Sequence, residues 1–200
     1  MADEKRAVVP PGPTGTTISG SATRVVMDAE EISRAVVRMA HQVLEDNHGA
    51  THLTVVGIPT RGIPLARRLA HAMEDIENRP VPLGELDVTF YRDDLRRQPT
   101  RPVGPTRMPG PIDDVVVVLV DDVLYSGRTV SAALEALKDI GRPRAVRLAV
   151  LVDRGHRELP IRADVVGREL PTAADERVRV HLAEIDGTSE VIIQRMSEEA

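Results

Sequence analysis

The residues able to do chemistry are concentrated in one stretch, Val115 to Thr129. There, two neighbouring carboxylates, Asp121 and Asp122, follow the aliphatic run Val115–Val120. Ser126 and Gly127 come shortly after, ahead of a segment with Val130, Ala133, Leu134 and Leu137 at helical spacing. The aliphatic run suits a parallel strand covered on both faces, and the periodic segment suits a helix. The loop between them, Val123 to Arg128, offers a phosphate backbone N–H groups and the positive end of a helix. Fixed carboxylates beside such a loop accept hydrogen bonds from hydroxyl groups, and a ribose 5′-phosphate presents both a diol and an anion. A nucleotide held by its phosphates alone would want Gly-x-x-x-x-Gly-Lys-Ser/Thr, and neither that pattern nor Gly-x-Gly-x-x-Gly occurs in the chain. The plain alternative, a polar strand end making an ordinary turn, explains the glycine but not Asp-Asp followed by Ser-Gly-Arg-Thr.

The elements that must position these groups alternate along the chain. Asp28 and Glu31 form a capping box, and Ile32, Val36, Met39, Ala40, Val43 and Leu44 follow at helical spacing, which predicts a helix from about Ala29 to Asn47 that stops near Gly49. Leu53–Gly57 reads as a strand. Ile58-Pro59-Thr60-Arg61-Gly62 leads from it into a helix bearing Leu65, Ala66, Leu69, Ala70 and Met73. Leu86–Tyr91 alternates as a half-buried strand, Leu86, Val88 and Phe90 facing one way. Residues 92–111 hold five prolines and five arginines and read as a mobile flap that excludes water and carries Arg92 toward a leaving group; a solvated hairpin is the alternative. Ala145–Val152 is another buried strand, followed by strands over 163–167, 177–184 and 190–195. The order implies an α/β fold, a mainly parallel sheet flanked by helices with ligands at its carboxyl edge. A small lid lies within 153–200.

Two hundred residues suit one domain plus a tail. Met1–Ser21, rich in Pro, Gly and Thr, is expected to be a disordered extension, with the domain spanning 22–200. No run approaches a membrane span, residues 1–20 lack a secretory core, and there is no cysteine, so a cytoplasmic protein without disulfides or thiolate metal sites is expected. Net charge is −5, which opposes indiscriminate nucleic-acid binding, yet nine arginines against six acids between Arg142 and Arg179 allow a local basic face.

The acid pair, small-residue loop and closing Thr129 resemble the phosphoribosyl-pyrophosphate (PRPP) signature of type I phosphoribosyltransferases. That resemblance implies the type I fold with a C-terminal hood and a flexible flap. It also implies that Asp121 and Asp122 hold the ribose hydroxyls and that Val123, Leu124, Tyr125, Ser126, Gly127, Arg128 and Thr129 surround the 5′-phosphate. Thr60 and Arg61 would meet the pyrophosphate with Arg92, Arg61 otherwise being a surface side chain of a plain strand-to-helix connection. Mg²⁺ would be held by PRPP oxygens and water, reaching Asp121 and Asp122 through water. Gly-Ile-Pro-Thr-Arg-Gly, Asp-Val-Thr-Phe-Tyr-Arg-Asp-Asp-Leu and the segment from Leu148 to Asp164 further resemble the PyrR family of pyrimidine operon regulators. By that resemblance uracil and PRPP give UMP and pyrophosphate, with Arg154 and Val178 near the base; an ion pair with Asp153, Glu158 or another nearby carboxylate is the alternative for Arg154. UMP or UTP would act as effector, and a homodimer or larger homo-oligomer would bind pyrimidine-gene mRNA through His41, Thr60, His156, Arg157, Arg162 and Arg168. His41 has the alternative of packing in a dimer contact. Val37 and Asp46 depart from that RNA-binding pattern, and Phe90, Tyr91 and Tyr125 are the chain's only aromatic side chains for stacking. A phosphoribosyltransferase without a regulatory role, or one acting on a purine base, is the competing reading.

Overall fold

The computed structural model describes residues 23–91 and 106–196. Five parallel strands form the main sheet: β2 (Leu53–Gly57), β3 (Leu83–Glu85), β4 (Val116–Leu124), β5 (Ala145–Asp153) and β6 (Val165–Glu169), in the order β3-β2-β4-β5-β6. Alternation along β4 explains why its first part, Val116–Val120, is aliphatic without interruption. Val118 and Val120 join the buried cluster formed with helices α1 (Ala29–Asn47) and α2 (Gly62–Glu77), whereas Val117 and Leu119 join the cluster formed with α3 (Arg128–Ile140). Each such aliphatic side chain contributes about 1.5–3 kcal/mol by leaving water.

Local rules set the helix ends. The Asp28 carboxylate accepts the Glu31 N–H at 2.7 Å and Glu31 accepts the Asp28 N–H at 3.0 Å, so α1 starts at the predicted capping box. It stops where His48 turns left-handed (φ 56°) and the Gly49 N–H reaches the Leu44 carbonyl at 2.8 Å.

A second, antiparallel sheet has the order β1-β8-β7, from Thr23–Met27, Glu190–Arg195 and Glu176–His181. Sequence reading places the lid within 153–200, but this small sheet takes one edge strand from residues 23–27, and β6 belongs to the main sheet. Between β7 and β8 lies a single turn of helix, α4 (Ala183–Asp186), so β7 ends before the expected residue 184.

The strand expected over Leu86–Tyr91 is absent. Pairing in β3 ends at Glu85, and the Asp87 carboxylate takes the Thr89 N–H at 2.7 Å, folding Thr89–Tyr91 into a 3₁₀ turn that leaves Phe90 77% exposed. Local side-chain hydrogen bonding outcompetes the apolar alternation there. Arg92 and most of the expected flap, together with the expected disordered extension, lie outside the described residues; the described end of the flap is anchored by Arg107, which exchanges backbone hydrogen bonds of 2.8 Å with Glu85. Among the described residues no helix is long and apolar enough to cross a membrane.

Candidate active site

The sheet order reverses between β2 and β4, the place where open α/β sheets leave a crevice beyond the carboxyl ends of their strands. β2 ends at Gly57, opposite Val120, but β4 continues through Leu124 against β5. The four extra residues Asp121–Leu124 form a ledge beside the end of β2. The strand therefore runs past the expected Val120, with both aspartates inside it, and the turn proper is only Tyr125–Gly127.

Two glycines press the loop after β2 onto that ledge. A Cβ on Gly62 would stand 2.5 Å from the Val120 carbonyl oxygen and 3.3 Å from the Asp121 Cα, and one on Gly57 would stand 2.6 Å from the Ile63 Cα. No side chain fits at either position. The Ile58 N–H donates to the Val120 carbonyl at 2.9 Å, the Pro59–Thr60 peptide is cis, and Thr60 is exposed. Arg61 follows at the start of α2. Alternation breaks within this ledge, since Val120 and Val123 lie on the α2 side and Leu119 and Leu124 on the α3 side, and Asp122 comes near Arg61. Accordingly, the Arg61 guanidinium is held above its ordinary value first by its hydrogen bond to Asp186 and additionally by the charge of Asp122. The two loops thus meet at one crevice.

The carboxylates are held by their own backbone: the Asp122 N–H reaches Asp121 Oδ1 at 2.9 Å and the Val123 N–H reaches Asp122 Oδ1 at 3.0 Å. Asp121 is buried and Asp122 half-buried. Beyond them the turn is tied back by the Ser126 carbonyl, which accepts the Glu158 and Leu159 N–H groups at 3.0 Å each, and by the Tyr125 carbonyl, which accepts Arg157 Nη1 at 2.9 Å. Gly127 adopts φ +92° at the N-cap of α3, a conformation suited to glycine, and offers no side-chain cap; the Ser126 hydroxyl accepts the Arg128 N–H at a long 3.4 Å. Thr129 lies in the first turn of α3. Arg128 instead pairs with Glu158 at 2.7 Å. Leu124 is buried in the α3-side cluster and Val123 packs against the opposite one, so their side chains support the ledge.

Arg154 is buried without either carboxylate offered as its alternative partner: Asp153 pairs with Arg157, and Glu158 with Arg128. Its guanidinium lies over the Tyr125 ring, 4.4 Å from the centroid, with Nε donating to Thr172 Oγ1 at 3.1 Å. With His156 and Thr172 it lines a cavity of about 420 Å³. Val178, on β7, is buried in the same cluster as Val120 and Val152, bringing the small sheet onto the end of β4.

The remaining candidates are spread more widely. His41 is exposed on α1, Arg162 is exposed before β6, and Arg168 is exposed on β6 with Nη1 donating to the Val26 carbonyl at 2.9 Å. His156 is exposed, and its ring nitrogen contacts the Thr172 carbonyl at 2.7 Å. Arg157 differs: besides Asp153 and Tyr125, its guanidinium donates to the carbonyls of Ile161 at 3.0 Å and Gly155 at 3.1 Å, so it stitches the loop together. Asp186, which sequence reasoning missed, takes the Arg61 side chain in a two-pronged bond. Nothing in the spacing marks it, because it lies 125 residues further along the chain.

Among the described residues no cluster of three or more His, Asp or Glu side chains could hold a metal ion. Asp121 and Asp122 do supply hard carboxylate oxygens, the donor class of Mg²⁺, so the ledge fits an ion that draws its other ligands from a diphosphate and water.

Comparison with known proteins agrees with this geometry. The model of the phosphoribosyl transferase domain matches residues 26–184. The bifunctional protein PyrR of Leifsonia xyli is 60% identical over 177 residues, covering 86% of this chain and 97% of that protein. The chain belongs to the PyrR family, and it is a phosphoribosyltransferase. PyrR of Streptomyces coelicolor is 58% identical over 171 residues, 85% of this chain and 89% of that one. Among solved structures, the hypoxanthine phosphoribosyltransferase of Trypanosoma cruzi superposes with a TM-score of 0.66 at 19% identity, covering 87% of this chain and 97% of its own, which is a likeness of fold. The fold is thus that of a type I phosphoribosyltransferase.

Proposed function

We propose that the protein transfers phosphoribosyl from PRPP to uracil, giving UMP and pyrophosphate, and that UMP or UTP bound in the same pocket governs its grip on pyrimidine-gene mRNA. The observation that carries the first part is the ledge: two carboxylates on an overhanging strand end, an uncapped helix start after them, and an arginine loop pressed against them. In the reaction the bond from the anomeric carbon to pyrophosphate breaks, the bond to uracil N1 forms, and the N1 proton is released. Positive charge develops on the ribose and negative charge on the leaving group. Asp121 and Asp122 hold the diol and face the ribose. The amides of Tyr125–Thr129 and the Ser126 and Thr129 hydroxyls take the 5′-phosphate, and Arg61, with Arg92, neutralises the pyrophosphate. Magnesium, when bound, supplies further neutralisation of the diphosphate. Arg154, fixed over Tyr125 beside a cavity, is assigned to the uracil end, with Val178 as a second candidate contact.

UMP formation from uracil and PRPP, followed by chromatography, tests this. Replacing Asp121→Asn and Asp122→Asn together is expected to lower turnover by at least about 10²–10³-fold; unchanged turnover would contradict the assignment. Hypoxanthine and adenine, offered in competition with uracil, are expected not to slow UMP formation.

The regulatory half is supported by the bifunctional relatives and by the exposed basic candidates His41, His156, Arg162 and Arg168, with Thr60 at the pyrophosphate loop. RNA binding is expected to strengthen with UMP and weaken with salt. Arg162→Ala tests it more cleanly than Arg157→Ala, because Arg157 also holds the loop. Equal affinity with and without UMP would count against regulation. The working unit is a homodimer or larger homo-oligomer, to which exposed Val25 and Val37 near the chain start lend support; sedimentation as a monomer would contradict it.

A further inference from the structure

The arginine of the pyrophosphate loop does not stand alone. Asp186 Oδ2 accepts from Arg61 Nε at 3.1 Å and Oδ1 from Nη2 at 2.6 Å, a side-on fork. A guanidinium has five N–H donors, two on Nη1, two on Nη2 and one on Nε. The fork uses the Nε edge and leaves the end of the guanidinium, both Nη1 hydrogens and one on Nη2, for another anion. The Asp186 carboxylate is itself fixed, because Oδ2 also accepts the Leu182 N–H at 2.8 Å.

A second clamp seats the turn that carries Asp186. Arg68, two helical turns further along α2, makes the same side-on fork with Glu184, at 2.8 Å and 2.6 Å, and its Nη2 also donates to Ser189 Oγ at 3.0 Å. That hydroxyl in turn accepts the Ala183 N–H at 3.1 Å. Two parallel guanidinium–carboxylate pairs therefore bind the α4 turn of the small sheet to the start of α2. Neither arginine is fully exposed: the Arg61 and Arg68 side chains retain 28% and 26% of their accessibility, which limits solvent screening.

We propose that Asp186 is a positioning residue for the transfer reaction: it holds Arg61 by one edge so that the opposite edge faces the departing pyrophosphate. The inference rests on the assignment of Arg61 to pyrophosphate made above. A flexible arginine would lose side-chain freedom on meeting the leaving group, whereas one already held by its fork loses less. The carboxylate also balances the guanidinium charge while the site is empty, and the diphosphate brings its own negative charge when it arrives.

The test is a double-mutant cycle on steady-state UMP formation and on PRPP affinity measured by calorimetry, with Arg61→Ala, Asp186→Ala and the double variant; Asp186→Asn serves as the volume-conserving form. Asp186→Ala is expected to lower kcat/KM for PRPP by roughly tenfold. The KM for uracil should stay within about twofold. Asp186→Asn, which keeps one acceptor, should fall between Asp186→Ala and wild type. In the Arg61→Ala background, adding Asp186→Ala is expected to change nothing further, because the group it positions is gone. Multiplicative losses in the double variant, or an equal rise in the uracil KM, would mean that Asp186 acts on general stability and would overturn the inference while leaving the role of Arg61 standing. If Arg61→Ala alone leaves turnover and PRPP affinity at wild-type values, the assignment of Arg61 fails, and the positioning role falls with it.

Discussion

The turns after β2 and after β4 are both strand-loop-helix connections at one switch point, yet they handle charge in opposite ways. After β4, negative side chains are fixed by adjacent backbone N–H groups and the helix start is uncapped, so the turn offers acceptors and donors built from local chain. After β2, the loop is stripped to glycine at both ends so that it can lie against β4, and its one charged group is held by a carboxylate from the α4 turn of the small sheet. In the proposed reading, the sugar-phosphate is held by neighbours in sequence, whereas the leaving group is met by a side chain held from elsewhere in the fold.

The comparison is broken most severely at Gly62. Gly62→Ala drives a Cβ into the Val120 carbonyl at 2.5 Å, and backbone cannot rotate away as a side chain can. A loss of about 1–3 kcal/mol is expected, with the melting temperature falling by about 2–4 °C per kcal/mol and UMP formation falling by more than the stability loss explains. Calorimetric unfolding alongside turnover separates the two effects. Gly127→Ala is milder, since its Cβ would meet Ile161 and Leu159 at 3.4 Å, but φ +92° penalises any L side chain. About 1–2 kcal/mol of stability is at stake there, and PRPP affinity is expected to fall while the Arg61–Asp186 pair survives, readable as unchanged titration of Asp186.

That titration sharpens the contrast. Arg61, by hydrogen bond, holds the Asp186 carboxyl below its ordinary value of 3.8. A carboxylate with a depressed folded pKa adds stability that is fully present above its unfolded value and is lost as pH falls through the folded value. The link between the small sheet and the loop after β2 is therefore expected to stay intact at neutral pH and to loosen only below about pH 4. NMR of the Asp186 carboxyl should show a midpoint below 3.8 in wild type that moves up in Arg61→Ala. The smallest effect serves as the control: Asp28→Ala removes the cap of α1 and should cost about 1 kcal/mol with kcat unchanged.

Much of the fold was legible because its signals were local. The capping box placed α1 to the residue, the uninterrupted aliphatic run Val115–Val120 marked β4 as a doubly covered strand, and the largely aliphatic Ala145–Val152 marked β5. The reading failed where a side chain captured the backbone, as Asp87 does in turning Thr89–Tyr91 away from a strand, and where distant segments join, as residues 23–27 do in the small sheet. The same division holds at the site. Asp121, Asp122 and Gly127 announce themselves by order and spacing; Asp186 does not, because its importance arises only when folding sets it against Arg61.

The most direct test of the central claim, that the ledge carrying Asp121 and Asp122 clasps the ribose phosphate of PRPP, is calorimetric titration of PRPP into wild type and into the Asp121→Asn, Asp122→Asn protein, with far-UV circular dichroism confirming that both are folded. The expected result is a loss of affinity of at least about 10²-fold in the variant. Equal affinity in two folded proteins would contradict it.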